Sequence, residues 1–401
     1  MHVISNLGIG GAELSLCALV EQTQGKEIDH VVISLLPNGA LRPRLELAGA
    51  RVIELAGQRG LAGALLLPGL GGHIASAKPD IVHSWMYHSN IAAIALRELR
   101  YFSCPLIWSI RQGLDNPTLD SGLTRALIWL GARLSAHPEV VVYNSDDAAR
   151  THEAIGYAAG RRLIIYNGVD CHRFKPQPDA RSALRAQLDL APGTILIGRV
   201  ARYSPMKDFD TLLGAFRKAL NTLPFARLLL VGTDISQANQ QLVALCRRHG
   251  CLDQVLFMGP RLDIEQVYPA LDLLVSSSSA NEGFPNVVAE ALASGTLVAS
   301  TSSGQSDLIH GGAHRVVPPR NEDALCEAMV DLAGLALTAL GAEEIKQLSG
   351  QGRRFVEANF SIDAFAQTHL LLYQDLLGRS AVAPHCLDAK TLARDGDEVR
   401  N

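Results

Sequence analysis

The sequence predicts an α/β protein built from two doubly wound domains. Three observations carry that prediction. The 401 residues are enough for two sizeable cores. Short apolar runs of strand length alternate with helical segments along most of the chain. Strand after strand ends in small polar residues or glycines that open a loop and then a helix, as in LLVSSSSANEGFPNVVAEAL. The composition, 48% hydrophobic and 19% charged with 35 glycines, fits a compact enzyme better than a disordered chain or a coiled coil. A formal net charge of -4 gives no electrostatic footprint for nucleic acid, so none is expected as a partner. Seven cysteines are scattered without CxxC spacing, which predicts reduced thiols in a cytosol rather than a disulfide framework or structural zinc. The first residues already read as a strand, so no secretory leader is expected. LAGALLLPGL from Leu61 is too short to span a bilayer and is broken by Pro68 and Gly69, so it reads as a core or interface helix. Any membrane contact is expected from the surface.

In the first half, His2 to Ser5 reads as a strand and LGIGGAELS as the turn into a helix. Gly8, Gly10 and Gly11 let the backbone approach a ligand, and the helix containing Glu13 turns its positive end toward that loop. The spacing is not a strict G-x-G-x-x-G, and strand-to-helix turns often carry glycine for steric reasons alone. HVVISLLP, RVIEL, DIVHSWMY and PLIWSIR read as further strands. His83 and His88 are expected just past a strand, with His88 ahead of a helix starting near Asn90, although a lone histidine is more often structural than catalytic. SIRQGLDN places Arg111 and Gln112 on the next loop at that same edge. VVVYNSDD is a strand followed by Ser145 as a helix cap. RLIIYNGVDCHRFKP then supplies a strand and a tight turn at Asn167 and Gly168, followed by a linker.

In the second half, the strand Ile195 to Val200 leads to Arg202 and Lys207, and Asp208 can cap the next helix. Two cations at a strand's carboxyl end suit a diphosphate, the arginine by forked hydrogen bonds and the lysine as a compact charge. Asp208 and Asp210 form a D-x-D that reads as capping and dipole complementation, so no metal is expected. The turn from Gly259 through Arg261 to Leu262, after a strand at Val255 to Met258, offers backbone groups to a nucleobase. LDLLVSSSS reads as a buried strand, Asn281 to Pro285 as a loop, and Asn286 or Val287 as the start of a helix ending near Gly295. Glu282 is therefore expected at the carboxyl end of a parallel strand, and Glu290 about two turns into the helix. A carboxylate there accepts two hydrogen bonds from a vicinal diol, and a pair flanking a phosphate-binding turn suits a nucleotide sugar. For an isolated Glu pair, exposed surface residues would be the simpler reading; the NEGFPN turn between SSSS and ASG weighs against it. Ser303 and Gly304 are expected near phosphate, Val316 to Pro319 as the last strand, and Glu322 to Leu340 as a helix. GQGRRFVEANFSIDAFAQTHLLLYQDLL reads as helical, with Phe365, Leu370, Tyr373 and Leu377 on one face, and disorder is expected after Arg379.

The E-x7-E arrangement in NEGFPNVVAEALASG resembles the signature of retaining glycosyltransferases of family 4 (glycosyl transferases group 1). The resemblance runs over roughly residues 1 to 375 and includes the Arg-x4-Lys of Arg202 and Lys207, the N-G-V-D-x-x-x-F at Asn167, and the V-P-P-x-N at Val317. It implies a GT-B fold, two Rossmann-like domains facing a central cleft. Residues 1–172 would bind the acceptor, 173–355 the nucleotide sugar, and 356–380 would form a helix crossing back to the first domain, with 381–401 disordered. It also implies roles. Arg202 and Lys207 hold the diphosphate of a UDP- or GDP-linked donor, Glu290 the ribose and Glu282 the sugar. Gly283, Phe284, Pro285, Asn286 and Val287 lie near the phosphates, Gly259, Arg261 and Leu262 near the base, and Gly10 and Gly11 beside the diphosphate or the acceptor. Many members carry a histidine in the loop of Arg111 and Gln112; this chain has none there, so Arg111, Gln112 or His88 would meet the sugar in its place. The implied reaction is retaining transfer to a glycan or lipid-linked acceptor in bacterial surface polysaccharide synthesis. It would take place in the cytoplasm or at the cytoplasmic membrane face, without metal or other cofactor. Two alternatives are a GT-B nucleotide-sugar epimerase and a non-catalytic nucleotide-sugar-binding protein.

Overall fold

The computed structural model describes residues 1–378 apart from 27, 57–66, 117, 119, 305, 307, 308, 310, 311 and 338–340. Most of LAGALLLPGL and the whole tail after Arg379 therefore lie outside the described residues. The chain divides into two compact units, Met1–Gly168 with the segment from Ile362, and Val169–Ser361. These divisions differ from those expected after residues 172 and 355. The Val169 amide donates to the Phe360 carbonyl at 2.8 Å, and Val169 pairs with Ser361 in an isolated parallel bridge. The second unit thus begins and ends on neighbouring backbone.

The first unit contains β1 (His2–Ile4), α1 (Gly11–Thr23), β2 (Val31–Ser34), α2 (Arg42–Leu47), β3 (Arg51–Glu54), α3 (Leu67–Ala77), β4 (Val82–Trp85), α4 (Met86–Glu98), β5 (Leu106–Ile110), α5 (Gly122–Leu134), β6 (Val140–Tyr143), α6 (Asp146–Glu153) and β7 (Arg162–Ile164). Among the described residues its sheet has seven parallel strands in the order β3-β2-β1-β4-β5-β6-β7. The order reverses direction at β1 and β4, where a doubly wound sheet opens its ligand crevice at the carboxyl ends. Strands such as VHSW and VVVY are buried almost throughout because helices cover both faces. Ser145 caps α6, its hydroxyl accepting the Ala148 amide at 3.0 Å.

Five histidines of this unit are buried among the described residues: His2, His30, His83, His152 and His369. A hydrogen-bonded row runs from Thr23 Oγ1 to His30 (2.8 Å), on to His2 (2.9 Å) and to the Trp85 indole, which donates to His2 Nδ1 at 3.2 Å. His83 sits between Ser109 Oγ (2.7 Å) and the Tyr373 hydroxyl (2.8 Å). Burial holds all five below the ordinary imidazole range, His30 and His152 at about 4 and His369 at about 3.

The second unit contains α7 (Pro178–Gln187), β8 (Ile195–Val200), α8 (Phe209–Ala219), β9 (Ala226–Val231), α9 (Gln240–Arg248), β10 (Val255–Gly259), β11 (Leu273–Ser276), α10 (Asn286–Ala293), β12 (Leu297–Thr301), β13 (His314–Val317), α11 (Glu322–Gly334) and α12 (Gly341–Asn359). Its six described strands are parallel in the order β10-β9-β8-β11-β12-β13, with the reversal between β8 and β11. The last strand begins two residues before the expected Val316 and ends before Pro318. The long carboxy-terminal helix is two helices: α12 stops at Asn359, and α13 (Ile362–Leu376) starts after Phe360 and Ser361. α13 belongs to the first unit, where Ile362, Phe365, Leu372 and Tyr373 join a core cluster with Leu16, Leu19 and Trp85. Among the described residues no helix is long and apolar enough to cross a membrane.

Candidate functional site

In the second unit the loops after β8 and β11 meet because their strands are neighbours. The four serines that end β11 fasten the two loops. Ser277 Oγ lies 2.9 and 3.0 Å from the carbonyls of Lys207 and Asp208, and the Ser279 amide donates to the Met206 carbonyl at 2.8 Å. Asp208 takes a left-handed conformation (φ 46°) between the short turn and α8, and it caps that helix by accepting the Thr211 amide at 3.2 Å. Asp210 pairs with Arg248 and His249, so the D-x-D is committed to capping and surface ion pairs.

This fastening brings Lys207 and Glu282 together as an ion pair, each side chain 19% exposed. The Ser278 hydroxyl donates to the same oxygen, Glu282 Oε1, at 2.6 Å. Burial alone would raise the Glu282 carboxyl, but the charge and hydrogen bond of Lys207, the Ser278 hydroxyl and the nearby Arg199 outweigh it and hold it below its usual range. Burial lowers the Lys207 ammonium, with Glu282 opposing.

Beneath the pair lies Arg199, on β8 and only 1% exposed. Its guanidinium donates to Ser276 Oγ at 2.7 Å, to Ser278 Oγ at 3.2 Å and to the Lys207 carbonyl at 3.2 Å, while its Nε has no partner among the described residues. Because Arg199 fills a lone pair of Ser278 Oγ, the serine's single proton is turned toward Glu282. One buried cation and one half-buried cation therefore act on one carboxylate. Sequence reasoning missed Arg199, whose signal was a charged residue inside the apolar run ILIGRV.

Glu290 lies on α10, and its Oε2 accepts the hydroxyl of the buried Tyr268 at 2.7 Å. Burial pushes its carboxyl up to about 7, against that hydrogen bond. Gly304 has φ +64°, and a Cβ there would come within 2.3 Å of Glu282 Cβ and 2.9 Å of the Gly283 carbonyl, so the loop after β12 closes directly over Glu282. The adjoining Ser303 hydroxyl is buried without a partner among the described residues. Gly283, Phe284 and Pro285 are buried, and Asn286 and Val287 open α10 half-buried. Phe284 is largely core, its ring 5.0 Å edge-on from Phe360, and the Asn286 amide donates to the Phe284 carbonyl. Arg202 is exposed at the rim, 3.9 Å from Met206 Sδ.

The turn at β10 stands apart in character. Gly259 (φ +71°) breaks the register with β9 and accepts the Gly232 amide at 2.8 Å; Arg261 is paired with Asp263; Leu262 is 67% exposed. Arg261 is therefore held by its own turn.

In the first unit, Gly10 caps α1 in extended conformation and Gly11 is its first residue. His88 lies in the first turn of α4, which starts at Met86 rather than near Asn90; the residue is exposed, and the part of its ring that the neighbouring protein shields from water lowers its imidazole. His83 lies inside β4 and is buried. Arg111 follows β5 on the loop, as expected, but its side chain is buried rather than open to a ligand. Its guanidinium donates to the Ile165 carbonyl and Asn167 Oδ1, both at 3.1 Å, and sits 5.1 Å from the Trp85 ring centroid and 5.6 Å from that of Phe365. Burial lowers it to about 9. Gln112 donates to the Asp120 carboxylate at 3.2 Å.

Residues 9–173 match the family model of Glycosyltransferase Family 4, and residues 191–334 that of Glycosyl transferases group 1. A D-inositol 3-phosphate glycosyltransferase of Nocardia farcinica is 32% identical over 46% of this chain and 42% of its own length. The lipopolysaccharide core biosynthesis mannosyltransferase LpsB of Rhizobium meliloti is 26% identical over 78% of this chain and 89% of its own. The chain spans about two fifths of the length of the first inositol-phosphate relatives it matches. Among solved structures, Anabaena Alr3699/HepE in complex with UDP and glucose superposes with a TM-score of 0.80 at 21% identity, covering 94% of this chain and 100% of that one. Sucrose-phosphate synthase from Thermosynechococcus elongatus gives 0.79 at 21%, covering 94% and 99%. These likenesses establish the GT-B fold.

Proposed function

This chain belongs to the family 4 and group 1 glycosyltransferases, and from that premise we propose that it transfers a sugar, with retention, from a UDP- or GDP-linked donor to a glycan or lipid-linked acceptor of a bacterial surface polysaccharide. The observation that carries the reading is the Lys207–Glu282 pair over Arg199, beside the loop of Gly304. The buried Arg199 and half-buried Lys207 against one carboxylate, with Arg202 at the rim, complement the two negative charges of a diphosphate. Relatives and fold neighbours support the donor class: LpsB is named a mannosyltransferase, and HepE is in complex with UDP and glucose or with UDP-glucose.

In this reading Glu290 accepts the ribose hydroxyls and Glu282 the hydroxyls of the donor sugar. As the anomeric bond breaks, negative charge grows on the leaving diphosphate, where Lys207 and Arg202 stabilise it more than in the ground state. The acceptor hydroxyl attacks the face that the diphosphate leaves, and a diphosphate oxygen takes its proton. Configuration is kept, and neither a separate side-chain base nor a metal is required. His88 and Gln112 are the exposed and half-buried polar groups of the first unit assigned to the sugar and acceptor; Arg111, being buried, acts as a positioning residue for Asn167.

A panel of UDP- and GDP-sugars, scored by thermal shift and by slow release of free nucleotide, tests the reading. One donor should stabilise the wild type and be hydrolysed slowly, in EDTA as well as without it. Glu282→Ala should retain nucleotide binding and lose hydrolysis, and Arg202→Ala should weaken binding by about 10-fold or more. If no nucleotide or nucleotide sugar binds, the donor assignment fails. Interconversion of donor epimers without acceptor would identify an epimerase instead.

A further inference from the structure

We propose that the exposed face of α5 is a docking surface for an anionic lipid bilayer. Helix α5 reads GLTRALIWLGARL and contains no acidic residue, in a chain whose formal net charge is -4. Ser121 caps it by accepting the Thr124 amide at 3.2 Å. Gly122, Arg125, Ala126, Trp129, Leu130 and Arg133 recur at helical spacing and are all exposed, whereas Ile128 and Gly131 on the opposite face are buried. Trp129 is 60% exposed and Leu130 40% exposed. The Arg133 guanidinium lies 3.3 Å from the Trp129 ring centroid.

The neighbouring segment extends the patch. The Tyr157 hydroxyl donates to the Ile128 carbonyl at 3.1 Å, and the Ala158 amide to Ser135 Oγ at 2.8 Å. This sets Ile155, 40% exposed, and the exposed Arg161 beside the last turns of α5. The nearby Glu153 is paired with Arg162.

A large exposed indole flanked by arginines is the side-chain pairing that suits a headgroup region. The ring enters the boundary of the acyl chains while guanidinium groups reach anionic phosphates on their apolar stems. The alternative occupant is a second copy of the chain. One tryptophan, one leucine and one isoleucine expose far less than the ~800 Å² per partner of a stable protein interface. A bilayer demands no matching shape, and each surface arginine contributes electrostatically. The proposal rests on the preceding reading only in its purpose, presenting a lipid-linked acceptor to the first unit; its structural basis is independent of the donor site.

The test uses the whole chain and vesicles of phosphatidylcholine with or without phosphatidylglycerol. Trp85 and Trp108 are fully buried, so the emission of the exposed Trp129 reports on contact. The wild type should float with phosphatidylglycerol-containing vesicles, and its emission should shift to the blue; phosphatidylcholine alone should do neither. Arg125→Glu with Arg133→Glu should weaken flotation by about 30-fold or more, the loss of two surface arginines, and Trp129→Ser with Leu130→Ser should abolish it. Both pairs should keep the nucleotide-induced thermal shift of the wild type, showing that they fold. Absence of phosphatidylglycerol-dependent flotation in the wild type overturns the proposal while leaving donor binding untouched. A blue shift that follows protein concentration without lipid overturns it in favour of self-association. Vesicle binding without any nucleotide binding would instead sink the donor reading alone.

Discussion

Arg199 touches Glu282 only through Ser278, yet it fixes where that serine's proton points. Removing it should free the serine to rotate and relieve Glu282 of a cation that lowers its carboxyl. Arg199→Met is therefore expected to slow donor turnover about 10–100-fold and to move the acid limb of the pH-rate profile upward, with Arg199→Lys restoring part of both. A rate loss with an unmoved acid limb would mean that Arg199 serves packing alone. Glu290 carries a second prediction. Its carboxyl, at about 7 in the free protein, must ionise to accept both hydrogen bonds of a ribose diol. Donor affinity should then rise between pH 6 and 8, with a proton released on binding near pH 7. Calorimetry in buffers of different ionisation heat measures that proton, and Glu290→Gln should remove it.

At the scale of elements, the loop after β12 is shaped around Glu282. Gly304→Ala places a methyl against Glu282 Cβ and backbone at a left-handed φ, so a loss of about 2–3 kcal/mol in the second unit's stability and of nucleotide binding is expected. An unchanged melting temperature would contradict this packing. The order of strands and helices was legible because the inner strands are buried on both faces and most turns carry Gly, Ser or Asn. The positions of Glu282 and Glu290 followed from that grammar. Boundaries were less legible where backbone geometry overrides composition. Met86 enters α4 directly from β4 at φ 67°, which carries His88 into the helix, and the α12–α13 break occurs at Phe360 and Ser361 without glycine or proline. Contacts made across the sheet, such as Ser278 to Glu282 or Arg111 to Asn167, leave no spacing in the chain to read.

For the molecule as a whole, the first unit should be the acid-sensitive one. His2, His30, His83, His152 and His369 fold as neutral imidazoles with lowered pKa, so the unfolded chain takes up their protons first. Their stabilising contribution is complete above the ordinary imidazole value of 6.5 and is lost as pH falls through it toward about 4 for His30 and about 3 for His369. Each histidine can cost up to ~1.4 kcal/mol per pH unit in that window. Calorimetric scans from pH 7 to 5 should show a transition of the first unit moving down in temperature ahead of that of the second, and His83→Gln should lessen the movement. The return of the chain into the first unit has a consequence during synthesis. Residues 169–361 are contiguous and their two ends lie side by side, so that unit can complete itself on the ribosome as soon as it clears the exit tunnel. The first unit, although made earlier, must wait for α13 to emerge before Tyr373 can reach His83. The part translated first is thus the part finished last, and until then its exposed apolar seam is the segment a chaperone would hold.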